Sequence, residues 1–77
     1  MTITVKFFAS LSEQLGKKEI SLNAQDNLTL ENVWSQATNN AVMPTKLLMA
    51  INMEYAQLTD PVNDGDEVAY FPPVTGG

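Results

Sequence analysis

Glu67-Val68-Ala69-Tyr70-Phe71-Pro72-Pro73-Val74-Thr75-Gly76-Gly77 closes the chain and separates a folded body from a tail. Val68 to Phe71 is β-branched and aromatic, the composition a pleated strand favours. Pro72 has no N–H to give to a sheet ladder, so pairing should stop there. Pro73 restricts the residue before it, which makes the pair a stiff, extended spacer. Val74 and Thr75 keep the extended bias, and Gly76-Gly77 removes both β-carbons, leaving an end thin enough for a channel that excludes every other side chain. Gly-Gly alone reads as fraying. A strand, a rigid spacer and a bare glycyl end in that order read as a tail, residues 72–77, held out by a compact body. Activated by ATP as an acyl adenylate, the Gly77 carboxylate would be open to an amine, a thiol or a sulfur donor in a confined site, where positioning supplies most of the rate.

Upstream of the last strand, Asp60-Pro61 and Asn63-Asp64-Gly65-Asp66 are turn signals. The second has a calcium-loop flavour but lacks EF-hand spacing and its terminal bidentate Glu, so no metal site is expected. Leu47-Leu48-Met49-Ala50-Ile51 is an apolar run whose length suits a strand buried on both faces. Asn52-Met53-Glu54 then reads as a turn and Tyr55-Ala56-Gln57 as a short edge strand. At the other end, Thr2 to Phe8 alternates, with Ile3, Val5 and Phe7 on the face expected to meet the core. Ser10 to Gly16 predicts a short helix with a Ser10/Glu13 capping box, Gly16 in a left-handed closing position and Lys17-Lys18 complementing the dipole. Glu19 to Asn23 alternates as a second strand. Thr29 should cap a main helix from about Leu30 to about Asn39, with Leu30, Val33, Trp34 and Ala37 as its buried stripe and Leu28 and Val33 as a hydrophobic staple.

Composition narrows the function. Seventy-seven residues make one small domain, 1–77. With no Cys and no His, a disulfide framework, a thiolate zinc site, a cysteine nucleophile and a histidine base are all excluded. Glu54, Asp64 and Asp66 have no nucleophile or base near them in sequence, so no intrinsic active site is expected. The N-terminus lacks a signal peptide's apolar run, and no segment is long enough to cross a bilayer. A cytoplasmic protein, with no membrane partner, is expected. The net charge of −5, with no basic residue after Lys46, argues against nucleic acid and fits a basic protein partner.

The order β, short α, β, long α, β, short β, β predicts an α+β roll: a mixed sheet of about five strands, the main helix packed on one face and the short helix after strand one. If the first and last strands lie side by side at the centre, Ile3, Val5 and Phe7 face the helix with Val68 and Tyr70. Phe8 and Phe71 then fall on the opposite face. Tyr55 on the edge strand joins them. Grouped exposed aromatics mark a partner surface; the competing reading is that the short helix covers them.

The segment Asp64-Gly65-Asp66-Glu67-Val68-Ala69-Tyr70-Phe71-Pro72-Pro73-Val74-Thr75-Gly76-Gly77 closely resembles the C-terminus of the molybdopterin synthase small subunits, the MoaD family. Val5-Lys6-Phe7-Phe8-Ala9 is similar to that family as well, whereas Ala24 to Thr45 resembles it only in pattern. The resemblance implies a ubiquitin-like β-grasp fold and a sulfur carrier that does no catalysis itself. An E1-like enzyme would adenylate Gly77 with ATP and magnesium, making that glycine the nucleotide-bearing residue. A persulfide-based sulfurtransferase system would convert it to a thiocarboxylate. The tail (Pro72, Pro73, Val74, Thr75, Gly76) would enter the large catalytic subunit of a heterotetrameric synthase and deliver sulfur to cyclic pyranopterin monophosphate. Phe8, Tyr55 and Phe71 match positions of the family's apolar docking contacts. No cofactor is implied on the chain itself.

Three other readings remain at this level. A thiazole-synthesis sulfur carrier shares fold and Gly-Gly, although the Phe-Pro-Pro-Val-Thr run argues for the molybdopterin member. A ubiquitin-like modifier shares fold, adenylation and tail. A binding module would have no chemistry at Gly77.

Overall fold

Alternation in Thr2–Phe7 (β1) sends Ile3, Val5 and Phe7 to one side, where they are 0%, 0% and 3% exposed. Glu67–Phe71 (β5) lies parallel beside it, Val5 opposite Val68 and Phe7 opposite Tyr70, and buries Val68 and Tyr70 on that same side. Around this central pair the computed structural model, which describes residues 1–72, builds one mixed five-stranded sheet. Glu19–Asn23 (β2) pairs antiparallel with β1, Leu48–Ile51 (β3) antiparallel with β5, and Glu54–Tyr55 (β4) antiparallel with β3. The order is β2-β1-β5-β3-β4.

The main helix, Leu30–Thr38 (α2), covers the inner face. Thr29 caps it: its hydroxyl accepts from the Asn32 N–H, and the Asn32 carboxamide accepts from the Thr29 N–H, a capping box built with asparagine. Asn39, at φ 59, closes it in the left-handed conformation. Leu30, Val33, Trp34 and Ala37 are buried as their spacing requires. Trp34 and Tyr70 meet edge to face at 5.2 Å, and Phe7 stacks on Tyr70 at 5.8 Å. The Tyr70 hydroxyl donates to the Leu30 carbonyl at 2.6 Å, tying β5 to the start of α2. Burial pushes the Tyr70 phenol above its ordinary range.

The short helix, Ala9–Leu15 (α1), begins one residue earlier than its sequence predicts, and the Ser10/Glu13 box does not form. The reason lies in the sheet. Phe8 keeps an extended backbone and its N–H donates to the Tyr70 carbonyl at 3.2 Å. Phe8 therefore becomes the residue before the helix and Ser10 falls inside its first turn. Gly16 closes the helix at φ 70 as expected, and Leu11 enters the core. The Lys17 N–H donates to the Ser12 carbonyl of this helix at 3.2 Å, but its ammonium donates to the Ala37 carbonyl at 2.9 Å, an acceptor left open at the end of α2.

Asn52 and Met53 form a two-residue hairpin turn, both with φ above zero (52 and 69). The edge strand restarts at Glu54, earlier than the expected Tyr55 to Gln57. It ends when the Gln57 N–H turns to the Asp60 carboxylate at 2.8 Å.

Candidate docking face and carrier end

The sheet face opposite α2 carries the other half of every alternating strand. Both helices bury their apolar side chains on the inner side, so among the described residues this outer face has no helical cover. Its residues divide by charge. Towards β2 lie Glu19, Ser21, Thr4, Lys6 and Glu67, and Lys6 pairs with Glu67 at 3.3 Å. Towards β4 lie Phe71, Leu48, Ala69, Ala50 and Tyr55.

The three aromatic residues that the sequence singles out are brought together here. Phe71 sits between the other two, 6.5 Å from Phe8 and 6.0 Å from Tyr55 by ring centroid. Phe8 is 47% exposed and Tyr55 78% exposed, which excludes the reading that α1 covers them. Tyr55 takes its place because the two-residue turn sets it opposite Ala50. Phe71 is half-buried, flanked by its two neighbours.

β5 ends at Phe71, and Pro72 follows outside the ladder, as the missing N–H requires. The aromatic cluster thus lies where the chain leaves the sheet. Pro73, Val74, Thr75, Gly76 and Gly77 lie outside the described residues.

The candidate carboxylates do not assemble into a site. Asp66 is a turn residue, accepting from the Asn63 N–H at 2.8 Å and from the Asn52 carboxamide at 3.0 Å. Among the described residues no group of three acidic, His or Cys side chains could hold a metal ion. No helix among them is long and apolar enough to cross a membrane.

Met53, Leu48, Ala50 and Ala69 also belong to this face, and sequence reasoning did not single them out. Parity from Phe71 gives Ala69, but its partner Ala50 lies on β3, whose pairing with β5 no hairpin fixes, so no local signal brings the two together.

Comparison with known proteins adds family and fold. The ThiS family matches residues 5–77. The molybdopterin synthase sulfur carrier subunit of Haemophilus influenzae is 40% identical, the match covering 97% of this chain and 99% of that one. Among solved structures, Haloferax volcanii small archaeal modifier protein 1 superposes with a TM-score of 0.77 at 23% identity, over 95% of this chain and 98% of that one. Subunit 1 or 2 in the protein–protein complex of the Helicobacter pylori molybdopterin-converting factor superposes at 0.65 with 23% identity, over the whole of both chains.

Proposed function

The chain belongs to the ThiS family, and from that premise we propose that it is the sulfur carrier subunit of a molybdopterin synthase, loaded at the Gly77 carboxylate. The supporting observation is the full-length likeness to a subunit of that name at 40% identity, on a fold whose exposed aromatic cluster lies where the last strand ends.

The chemistry follows from a glycyl carboxylate. An E1-like enzyme, using ATP and magnesium, joins AMP to the Gly77 carboxylate and releases pyrophosphate. A persulfide sulfur of a sulfurtransferase attacks the acyl carbonyl and AMP departs. A second thiol then cleaves the sulfur–sulfur bond, leaving a thiocarboxylate on Gly77 and a disulfide between the thiols. Inside the large subunit the thiocarboxylate sulfur attacks cyclic pyranopterin monophosphate, and water returns the glycine to a carboxylate. Two such transfers build the dithiolene. The chain supplies no general acid or base to these steps. Its contributions are presentation and docking: Phe8, Tyr55 and Phe71 hold the partner, while Pro72 and Pro73 stiffen the approach of Val74, Thr75, Gly76 and Gly77.

The test is an intact mass measured after incubation with the activating enzyme, ATP and a sulfur source. Loading raises the mass by the difference between a sulfur and an oxygen atom. An unchanged mass under conditions that load a known carrier would refute the proposal, and adducts on other proteins would favour a modifier. One residue appended after Gly77 should abolish loading while leaving docking intact; loading that survives the extension would show that the reactive group is elsewhere.

A further inference from the structure

At the centre of the outer face, Ala69 of β5 and Ala50 of β3 stand opposite each other, with Tyr55 of β4 next in the row. Alanine is depleted from strands because it has little side chain to pack. Two together leave a hole among large neighbours. The hole is a depression of about 250 Å³, floored by Ala50 and Ala69 and walled by Phe71, Tyr55 and Met53. Ala50 is only 7% exposed although both helices lie on the other side of the sheet.

Met53 is an independent sign of use. Its backbone holds φ 69 in the second place of the hairpin turn, where glycine is the unstrained choice. The side chain gains nothing from the fold in return, being 92% exposed. An outlying backbone conformation that carries an exposed, adaptable thioether invites a functional explanation.

We propose that this depression is a socket for one aliphatic side chain of the molybdopterin synthase large subunit, with Ala50 and Ala69 setting the size admitted and Met53 closing against it. The inference rests on the docking reading above and adds a determinant of partner choice. Continuity argues for that occupant, since Phe71 and Tyr55 belong both to the socket wall and to the aromatic cluster. Chemistry argues for an aliphatic group. Among the described residues no charged side chain lines the socket, so a buried cation or carboxylate would stay unpaired. A second copy of the chain is disfavoured because each carries a net charge of −5.

The experiment titrates the full chain against purified large subunit by calorimetry, with Trp34 emission reporting the fold. Ala69→Leu fills the socket from its floor and should weaken docking at least about tenfold without loss of the native emission. Ala69→Ser keeps the volume and should stay within about threefold. Thr4→Leu adds bulk to the polar part of the same face and should dock like the parent chain. Equal docking by Ala69→Leu, or equal weakening by Thr4→Leu, overturns the socket. If Ala69→Leu does not fold, photo-methionine at position 53 decides. A cross-link to an aliphatic residue of the large subunit supports the socket. A cross-link only to a polar segment, or only to another copy of this chain, overturns it. If the parent chain itself fails to dock, the carrier proposal falls as well; if it docks and Ala69→Leu docks equally, the socket alone falls.

Discussion

Phe71→Ala separates docking from folding. Main-chain pairing of residue 71 with Leu48 does not need the ring, and the ring is only half-buried. Truncating a fully buried Phe costs about 3–5 kcal/mol. Phe71 loses part of that burial and its contacts with the Phe8 and Tyr55 rings at 6.5 and 6.0 Å, pairs worth about 0.5–1.5 kcal/mol each. The cost of truncating a buried Phe already includes its ring contacts, so about half of it, about 1.5–2.5 kcal/mol, is expected, which a domain of this length, stable by about 4–11 kcal/mol, survives. Phe7→Ala, one face away and 3% exposed, should cost the full core amount, about 3–5 kcal/mol. Docking should show the reverse sensitivity. A central aromatic contact contributes 2 kcal/mol or more, about thirtyfold in Kd. Urea unfolding followed at Trp34 gives the first quantity and calorimetry against the large subunit the second. A native Kd for Phe71→Ala would refute the docking role of the ring. Destabilisation equal to that of Phe7→Ala would place the ring in the core.

Three further outcomes are expected. The Tyr70 phenol is held neutral by burial, its folded pKa raised, so its contribution is complete below the unfolded value of about 10 and is lost as pH rises beyond it. Stability should therefore fall by about 1.4 kcal/mol per pH unit more steeply in the parent chain than in Tyr70→Phe; parallel urea curves would contradict this. Thr29→Ala removes the hydroxyl that accepts from Asn32 and should cost about 1 kcal/mol by the same assay. Met53→Gly relieves the left-handed strain at φ 69 and should raise stability by up to about 1 kcal/mol, while docking weakens in calorimetry.

Most of the sheet was legible because period-two alternation is a local signal that survives into the tertiary structure. Ile3, Val5 and Phe7 occupy the face they were expected to, and so do Val68 and Tyr70. Thr29 and the Leu30 to Ala37 stripe were legible for the same reason at the helical period. The errors lie where a distant element outweighs a local preference. Ser10 is a good cap by sequence, but β5 holds Phe8 extended through the Tyr70 carbonyl and moves the helix start. Lys17 has a helix end beside it in sequence, yet the open carbonyl of Ala37 is the one its ammonium reaches. The aromatic cluster could be inferred from parity alone. The hole beside it could not, because Ala50 and Ala69 have no chemical signal until the register places them together. Met53 likewise looks like an ordinary turn residue until its φ is known.

The two faces of β5 give these ideas a common test. Inner and outer residues alternate along one strand, so stability and docking should alternate with them. Val68 and Tyr70, both 0% exposed, should report on folding, and truncation of either should lower the urea midpoint. Ala69 and Phe71, on the outer face, should report on the large subunit, and changes there should move Kd. The physical reason is that neighbouring β-carbons of a strand point to opposite sides, so each side chain meets either the α2 core or the outer face proposed for docking. This also explains how so small a domain can present an apolar surface without dissolving its core, since the outer-face aromatics take no part in the Phe7, Trp34 and Tyr70 cluster. A scan of residues 68–71 in which both quantities moved together at every position would show that docking and folding draw on one set of contacts, and the division of labour between the faces would have to be abandoned.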